Sequence, residues 1–230
     1  MLFLDFDGTI TRRDVVDVIL ETFADQRWLT FEADWRAGRI GSRDCLQAQM
    51  SVVKATRRQL DALLESIEVD EGLTDLLELT VAQKISAHII SDGFDYCINQ
   101  IVSRALNGHA QLIKSVCASH LVLRTHPCRT EFPYFHQSCG HGCATCKPAV
   151  MRLLNPTNVP TVFVGDGLSD RYAIESADLV FAKNDLAQYC RASSIAYAEY
   201  ENLADVDRYL KRWLTARSFL TDQRRRRVGA

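Results

Sequence analysis

Three short apolar runs, each ending in an acidic, glycine-containing turn, restrict what this chain can fold into more than any other feature. Residues 2–6 are nearly all apolar and lead through Asp5 and Asp7 into Gly8. Residues 84–90 (KISAHII) lead into Ser91-Asp92-Gly93, and residues 160–164 (PTVFV) into Gly165-Asp166-Gly167. Apolar runs without alternation suit central strands of a parallel sheet covered on both faces. Helix-like periodicity follows the second and third runs, in 94–106 and 169–177. Repeated strand, loop and helix specify an α/β fold with a doubly wound parallel sheet. Such sheets bind ligands beyond the carboxyl ends of their strands, so the three acidic loops are expected to share one crevice.

The stretch between the first two runs is several times longer than the roughly 12 residues a parallel crossover needs. It carries helical patterning at 15–23, 28–36, 43–53 and 58–67, and reads as a small helical cap inserted after the first strand. The expected organisation is a catalytic core of residues 1–12 and 81–230 with a cap at 13–80. A helix over 73–81 would return the chain to the sheet. Two short strands are expected within 111–125, another strand at 179–182, and a closing helix over 203–214. His88, inside the second run, reads as a strand histidine of the core.

A chain of 230 residues with 47% hydrophobic content can bury one such core together with a modest insertion. Its formal charge of -2 gives no broad basic field, which disfavours nucleic acid and favours a small anionic partner. No apolar run is long enough to span a membrane, and the start of the sequence lacks the pattern of a secretory signal, so a cytoplasmic location is expected. Arg224 to Arg227 read as a solvated tail.

Asp5 and Asp7 lie two apart at a strand end, which points both carboxylates the same way, and Gly8 permits a tight turn after them. Buried carboxylates on one face repel unless a cation joins them. A hard divalent ion such as Mg2+ takes oxygen ligands and keeps positions for water and phosphate. Asp166 and Asp170 add further carboxylates. A phosphate dianion approaching four acidic groups needs the metal and a basic side chain, for which Lys147 is placed at the start of a helical pattern. Ser91 and the backbone donors around Asp92 and Gly93 could hold phosphoryl oxygens. Taken singly, each of these has an ordinary reading as a turn, a helix cap or a solvated charge.

In order and placement the set Asp5-Phe6-Asp7-Gly8-Thr9, Ser91, Lys147 and Gly165-Asp166-Gly167-Leu168-Ser169-Asp170 resembles the four motifs of the haloacid dehalogenase superfamily. The resemblance covers residues 1–182. It implies that Asp5 attacks phosphorus to give an aspartyl phosphate, while Asp7 serves first as general acid and then as general base. It also implies that Asp5, Asp7 through its backbone carbonyl, and Asp166 bind Mg2+, with Asp170 supporting the metal's waters or Lys147. Ser91, Lys147 and backbone amides would stabilise the transferring group. The helical insertion is similar to the cap of the phosphoserine phosphatase subgroup. The stretches DFDGTIT, SDGFD and CATCKP are most similar to the branch acting on hydroxyketo-methylthiopentenyl phosphate in methionine salvage. Phosphoserine or phosphocholine is the alternative substrate. A metal-responsive binding protein without catalysis is the alternative from another class, set against the competent residue at every catalytic position. Glu21, Trp28, Trp35 and Arg36 are cap candidates for leaving-group contact, although aromatic and charged residues at helical spacing ordinarily serve packing and solvation.

Residues 126–146 hold His126, Cys128, His136, Cys139, His141, Cys143 and Cys146. Free thiols, a structural Zn2+ held by Cys128, Cys139, Cys143 and Cys146, or a disulfide each fit this density. The spacing Cys139-x3-Cys143-x2-Cys146 also matches that of iron-sulfur radical enzymes, but no barrel-like succession of strands and helices follows it. Cys45, Cys97, Cys117 and Cys190 read as reduced, buried small hydrophobes.

Overall fold

The computed structural model describes residues 1–123 and 128–228, with side chains described through residue 215. Its sheet contains β1 (Leu2–Leu4), β2 (Ala87–Phe94), β3 (Ser115–Val122), β4 (Arg129–Glu131), β5 (Val162–Gly165), β6 (Leu179–Ala182) and β7 (Ala198–Glu199). Their spatial order is β4-β3-β2-β1-β5-β6-β7. Every pairing is parallel except β3 with the edge strand β4. The doubly wound sheet expected from the sequence is therefore the observed one, with an antiparallel edge added.

Helices α1 (Val15–Phe23), α2 (Trp28–Arg36), α3 (Ser42–Ser51) and α4 (Arg57–Glu65) lie between β1 and β2, and α5 (Leu73–Ala82) leads into β2. Capping fixes two of the starts. Asp14 accepts the Asp17 N–H ahead of α1, and Thr56 and Gln59 form a reciprocal capping box ahead of α4. The remaining helices are α6 (Asp95–Ala105), α7 (Lys147–Leu154), α8 (Asn184–Ala192) and α9 (Leu203–Val228). The helix α5 packs against α9, which ties the return segment to the sheet-covering layer.

Strand alternation builds two apolar layers. Leu2 and Leu4 join the cluster formed with α1, α5, α6 and α9, whereas Phe3 joins the opposite one with Val150 and Met151 of α7 and Leu186 of α8. All three residues of β1 are essentially inaccessible. A run buried on both faces has no reason to alternate, which is why the sequence there is uniformly apolar. His88 lies on β2, stacks on Phe3 and contacts Ser115 Oγ through Nδ1 at 2.7 Å, in keeping with a core histidine.

Three expectations need correction. Residues 111–125 contribute one strand, β3, preceded by a 3-10 turn at Ala110–Leu112, because the alternation there was too brief to mark its limits. The segment after Asp166 forms two 3-10 turns, Leu168–Tyr172 and Ile174–Ser176, rather than a helix, since Asp170 bonds back to the loop and tightens it. The closing helix extends to Val228, so the backbone of Arg224 to Arg227 is helical, while their side chains and His126 lie outside the described residues. Neither α8 nor the two-residue β7 was among the expected elements.

Candidate active site

The carboxyl ends of β1, β2 and β5 bring the three acidic loops together, as parallel topology requires. Asp5 follows β1 directly, and its N–H donates to Val164 O of β5 at 2.9 Å. Gly8 turns the chain with φ +70, and a Cβ there would stand 2.3 Å from the Asp166 carboxylate, so glycine is needed for both conformation and space. Gly93 meets a similar limit, because a Cβ would lie 2.3 Å from Asp7 Oδ2.

Lys147, the first residue of α7, is 2% exposed and bridges two carboxylates. Its Nζ lies 2.8 Å from Asp5 Oδ1 and 2.5 Å from Asp170 Oδ1. Burial alone would push the ammonium down, but Asp170 and Asp5 outweigh it and hold the group protonated. The other oxygen of Asp170 accepts the N–H groups of Asp166 and Gly167 at 3.0 and 3.2 Å, which fixes the turn carrying Asp166. Asp166 in turn accepts from Thr9 Oγ1 at 3.2 Å and Asn184 Nδ2 at 3.3 Å.

Asp5, Asp166 and Asp170 each place a carboxylate oxygen within 4.8 Å of the others. Burial, followed by repulsion from Asp170, holds the Asp5 carboxyl well above its usual range despite Lys147. Burial and Asp170 push Asp166 up to about 6. One ammonium thus leaves the group underneutralised, and an oxygen-seeking divalent cation fits it. The Asp7 side chain lies apart from this group. Its Oδ1 accepts the Val15 N–H at 2.8 Å and its Oδ2 accepts the Ser91 hydroxyl at 3.2 Å. Burial raises the Asp7 carboxyl, opposed by the hydrogen bonds from Val15 and Ser91.

Ser91 Oγ also accepts the Gly93 N–H at 2.9 Å. The Asp92 carboxylate accepts from Ser42 Oγ of α3 at 2.6 Å and from the Thr145 N–H at 2.8 Å. Ser42 Oγ further accepts the Ala144 N–H at 2.9 Å, so one cap hydroxyl joins the second acidic loop to the segment before Lys147. Nothing in the residue order singled out Ser42. Its only signal was its place at the start of a helix.

These residues open onto a cavity of about 370 Å³ whose other walls come from α1, α2 and α3. Trp35 and Arg36 line it, as expected of cap candidates. Arg36 pairs with Glu32 at 2.8 Å and with Asp185 of α8 at 3.3 Å. Trp28 instead packs against the core, and Glu21 pairs with Arg13 at 2.7 Å outside the cavity lining. Asp17, Glu32 and Gln49 line the cavity and were not foreseen, because a charge on a helix looks solvated until a second element covers it. Burial and Glu32 push Asp17 up to about 6.

All eight cysteines are free thiols. Cys128 is buried in the apolar cluster of β1 and α6, and the zinc set expected around it has no support among the described residues. Cys45, Cys97, Cys117 and Cys190 are buried, as read. No helix among the described residues is long and apolar enough to cross a membrane.

Residues 2–175 match the family model of haloacid dehalogenase-like hydrolases. The chain is 26% identical over 223 residues to the 2-hydroxy-3-keto-5-methylthiopentenyl-1-phosphate phosphatase of Bacillus pumilus (strain SAFR-032), covering 93% of this chain and 94% of the relative. It is 28% identical over 228 residues to the protein of the same name from Bacillus cereus (strain G9842), covering 94% and 98%. Among solved structures, a substrate-bound phosphoserine phosphatase superposes with a TM-score of 0.70 at 17% identity over 90% of this chain and 96% of that one, a likeness of fold.

Proposed function

The chain belongs to the haloacid dehalogenase-like hydrolases and is a phosphatase of that family, and from this premise we propose a Mg2+-dependent phosphomonoesterase that works through an aspartyl phosphate on Asp5. The observation carrying this reading is the contact of Asp5 with Lys147 inside the carboxylate group it forms with Asp166 and Asp170. In this reading Asp5 attacks phosphorus, one P–O bond forms and the bond to the leaving alkoxide breaks. Asp7 delivers its proton to that alkoxide and then takes one from the water that opens the intermediate. Burial keeps a proton available on Asp7, and the Ser91 hydroxyl holds its carboxylate in place. Lys147 maintains positive charge beside Asp5 and orients it, while Ser91 and the backbone of Asp92 and Gly93 face the phosphoryl oxygens. Asp5, Asp166, Asp170 and the Asp7 carbonyl are the groups that would hold Mg2+, which supplies charge neutralisation at the phosphoryl group when bound.

Residues 13–80 act in this reading as the cap that covers the cavity and selects a small phosphorylated metabolite. The names of the relatives favour 2-hydroxy-3-keto-5-methylthiopentenyl-1-phosphate as substrate. A second reading has its own support. Asp17 and Glu32 place carboxylates on the leaving-group side, which suits a cationic leaving group such as that of phosphoserine or phosphocholine.

The test is phosphate release from a panel containing these three phosphoesters and simple phosphomonoesters, with Mg2+ and with chelator. Turnover that requires Mg2+ and falls by about 10³-fold or more in Asp5→Asn is expected. Full turnover in Asp5→Asn excludes the aspartyl phosphate. The order of kcat/KM across the panel separates the two substrate readings.

A further inference from the structure

Asp166 is held at both of its carboxylate oxygens, and most of the groups that hold it lie beyond residue 175, where the match to the family model ends. After β6 the chain turns into α8 at Asn184, whose φ of +48 lies in the left-handed region. A side chain other than glycine is uncommon there, and asparagine is one of the few that tolerate it. The turn brings the Asn184 amide back to the end of β5, where Nδ2 donates to Asp166 Oδ2 at 3.3 Å. The Leu186 N–H donates to Asp166 O at 2.9 Å and the Lys183 N–H to Gly165 O at 3.4 Å. The start of α8 therefore grips both the backbone and the side chain of the third acidic loop.

The other oxygen is approached from inside the protein. Thr9 is fully buried, and its Oγ1 donates to Asp166 Oδ1 at 3.2 Å. Tyr200 follows β7 directly, is 3% exposed, and places its hydroxyl 3.4 Å from Thr9 Oγ1 and 3.3 Å from Gly165 O. A threonine hydroxyl carries a single proton. A donor from Tyr200 on the Thr9 oxygen leaves that proton directed to Asp166. The Lys183 ammonium lies 4.9 Å from the centre of the Tyr200 ring, which joins the two gripping segments to each other.

We propose that Asn184 and Tyr200 are positioning residues for Asp166, which fix its carboxylate in the orientation that binds a divalent cation and so set the Mg2+ affinity of the site. Oxygens of Asp166, Asp5 and Asp170 lie within 4.8 Å of one another. A carboxylate free to rotate beside two like charges turns away from them, and an arriving cation has to bring it back. Hydrogen bonds to both oxygens remove that rotation in advance. They also leave room for the metal, because a carboxylate offers about four acceptor sites. Outer-shell partners of this kind are worth about 10–100-fold in metal affinity. The inference rests on the Mg2+ reading of the carboxylate group.

The test measures Mg2+ binding by calorimetry for the full-length wild type, Asn184→Gly and Tyr200→Phe, alongside urea unfolding and the Mg2+ dependence of phosphate release. Glycine accepts the φ of residue 184 and removes only the amide side chain, while phenylalanine keeps the ring and removes only the hydroxyl. Each variant is expected to bind Mg2+ about tenfold or more weakly, and turnover lost at low Mg2+ should return as Mg2+ is raised. A purely structural role would move the urea midpoint and leave the dissociation constant alone. An unchanged dissociation constant in either folded variant, or a loss of turnover that saturating Mg2+ does not restore, overturns the proposal. If Tyr200→Phe does not fold, Asn184→Gly at its exposed position decides alone. A wild type that binds no Mg2+ sinks the metal reading and this inference together. If it binds Mg2+ but releases no phosphate from any substrate, the phosphatase reading fails, and the binding data still judge the two positioning residues.

Discussion

Lys147 shows how much one side chain decides. A buried ammonium between Asp5 and Asp170 is tolerable only because both partners lie at hydrogen-bond distance. Removing it leaves the carboxylates buried against one another, a change that costs about 3–5 kcal/mol when a buried pair is broken. Lys147→Met should therefore lower unfolding stability in urea at neutral pH by that order, as well as abolish turnover. A loss under about 1 kcal/mol would mean that the pair behaves as if solvated. The acidic residues and Lys147 were legible in the sequence because their spacing has no common packing explanation when read together. Asp17 and Glu32 were not, since nothing in a single amphipathic helix says that another helix will enclose its charged face.

At the scale of the strand, His88 makes β2 sensitive to acid. Burial, followed by repulsion from Lys114 and the N-terminal ammonium, lowers the imidazole to about 4 from its ordinary 6.5. The folded state thus holds it neutral, with Nε2 lacking a hydrogen-bond partner among the described residues, while the unfolded chain takes up a proton below 6.5. Its contribution is complete above pH 6.5 and is lost as pH falls from 6.5 to 4, amounting to about 3 kcal/mol across that window. His88→Leu should remove this part of the acid dependence when urea unfolding is measured at pH 4.5 and 7. If wild type and variant change equally between those values, protonation of His88 has no part in the acid response. The run containing His88 was recognisable as a strand from its apolar neighbours. The strand's extension to Phe94 was not, because a register shift between Ile90 and Phe94 carries Ser91, Asp92 and Gly93 within a segment that reads as a turn.

At the scale of the whole molecule, the contacts between cap and core at the cavity include the Ser42 hydroxyl, the Arg36–Asp185 pair and the Val15 N–H on Asp7. Arg36 is about half exposed, so the part-buried hydroxyl, which bonds two partners, is the more consequential contact. Ser42→Ala deprives the Asp92 carboxylate of a donor and the Ala144 N–H of an acceptor, a loss of about 1–3 kcal/mol borne by cap closure. Steady-state kinetics should show KM raised about tenfold with the fold retained. An unchanged KM would rule out Ser42 as a closure contact. By itself the sequence determined the parallel sheet, the helical insertion and the acidic loops at strand ends, because strand burial, helical period and turn chemistry are local and leave their mark on residue order. Only the tertiary structure decided that Asp17 and Glu32 face the same cavity as Asp5 and that Ser42 bridges cap and core. Those are contacts between residues far apart in the chain, fixed by packing and hydrogen-bond geometry that no local pattern encodes.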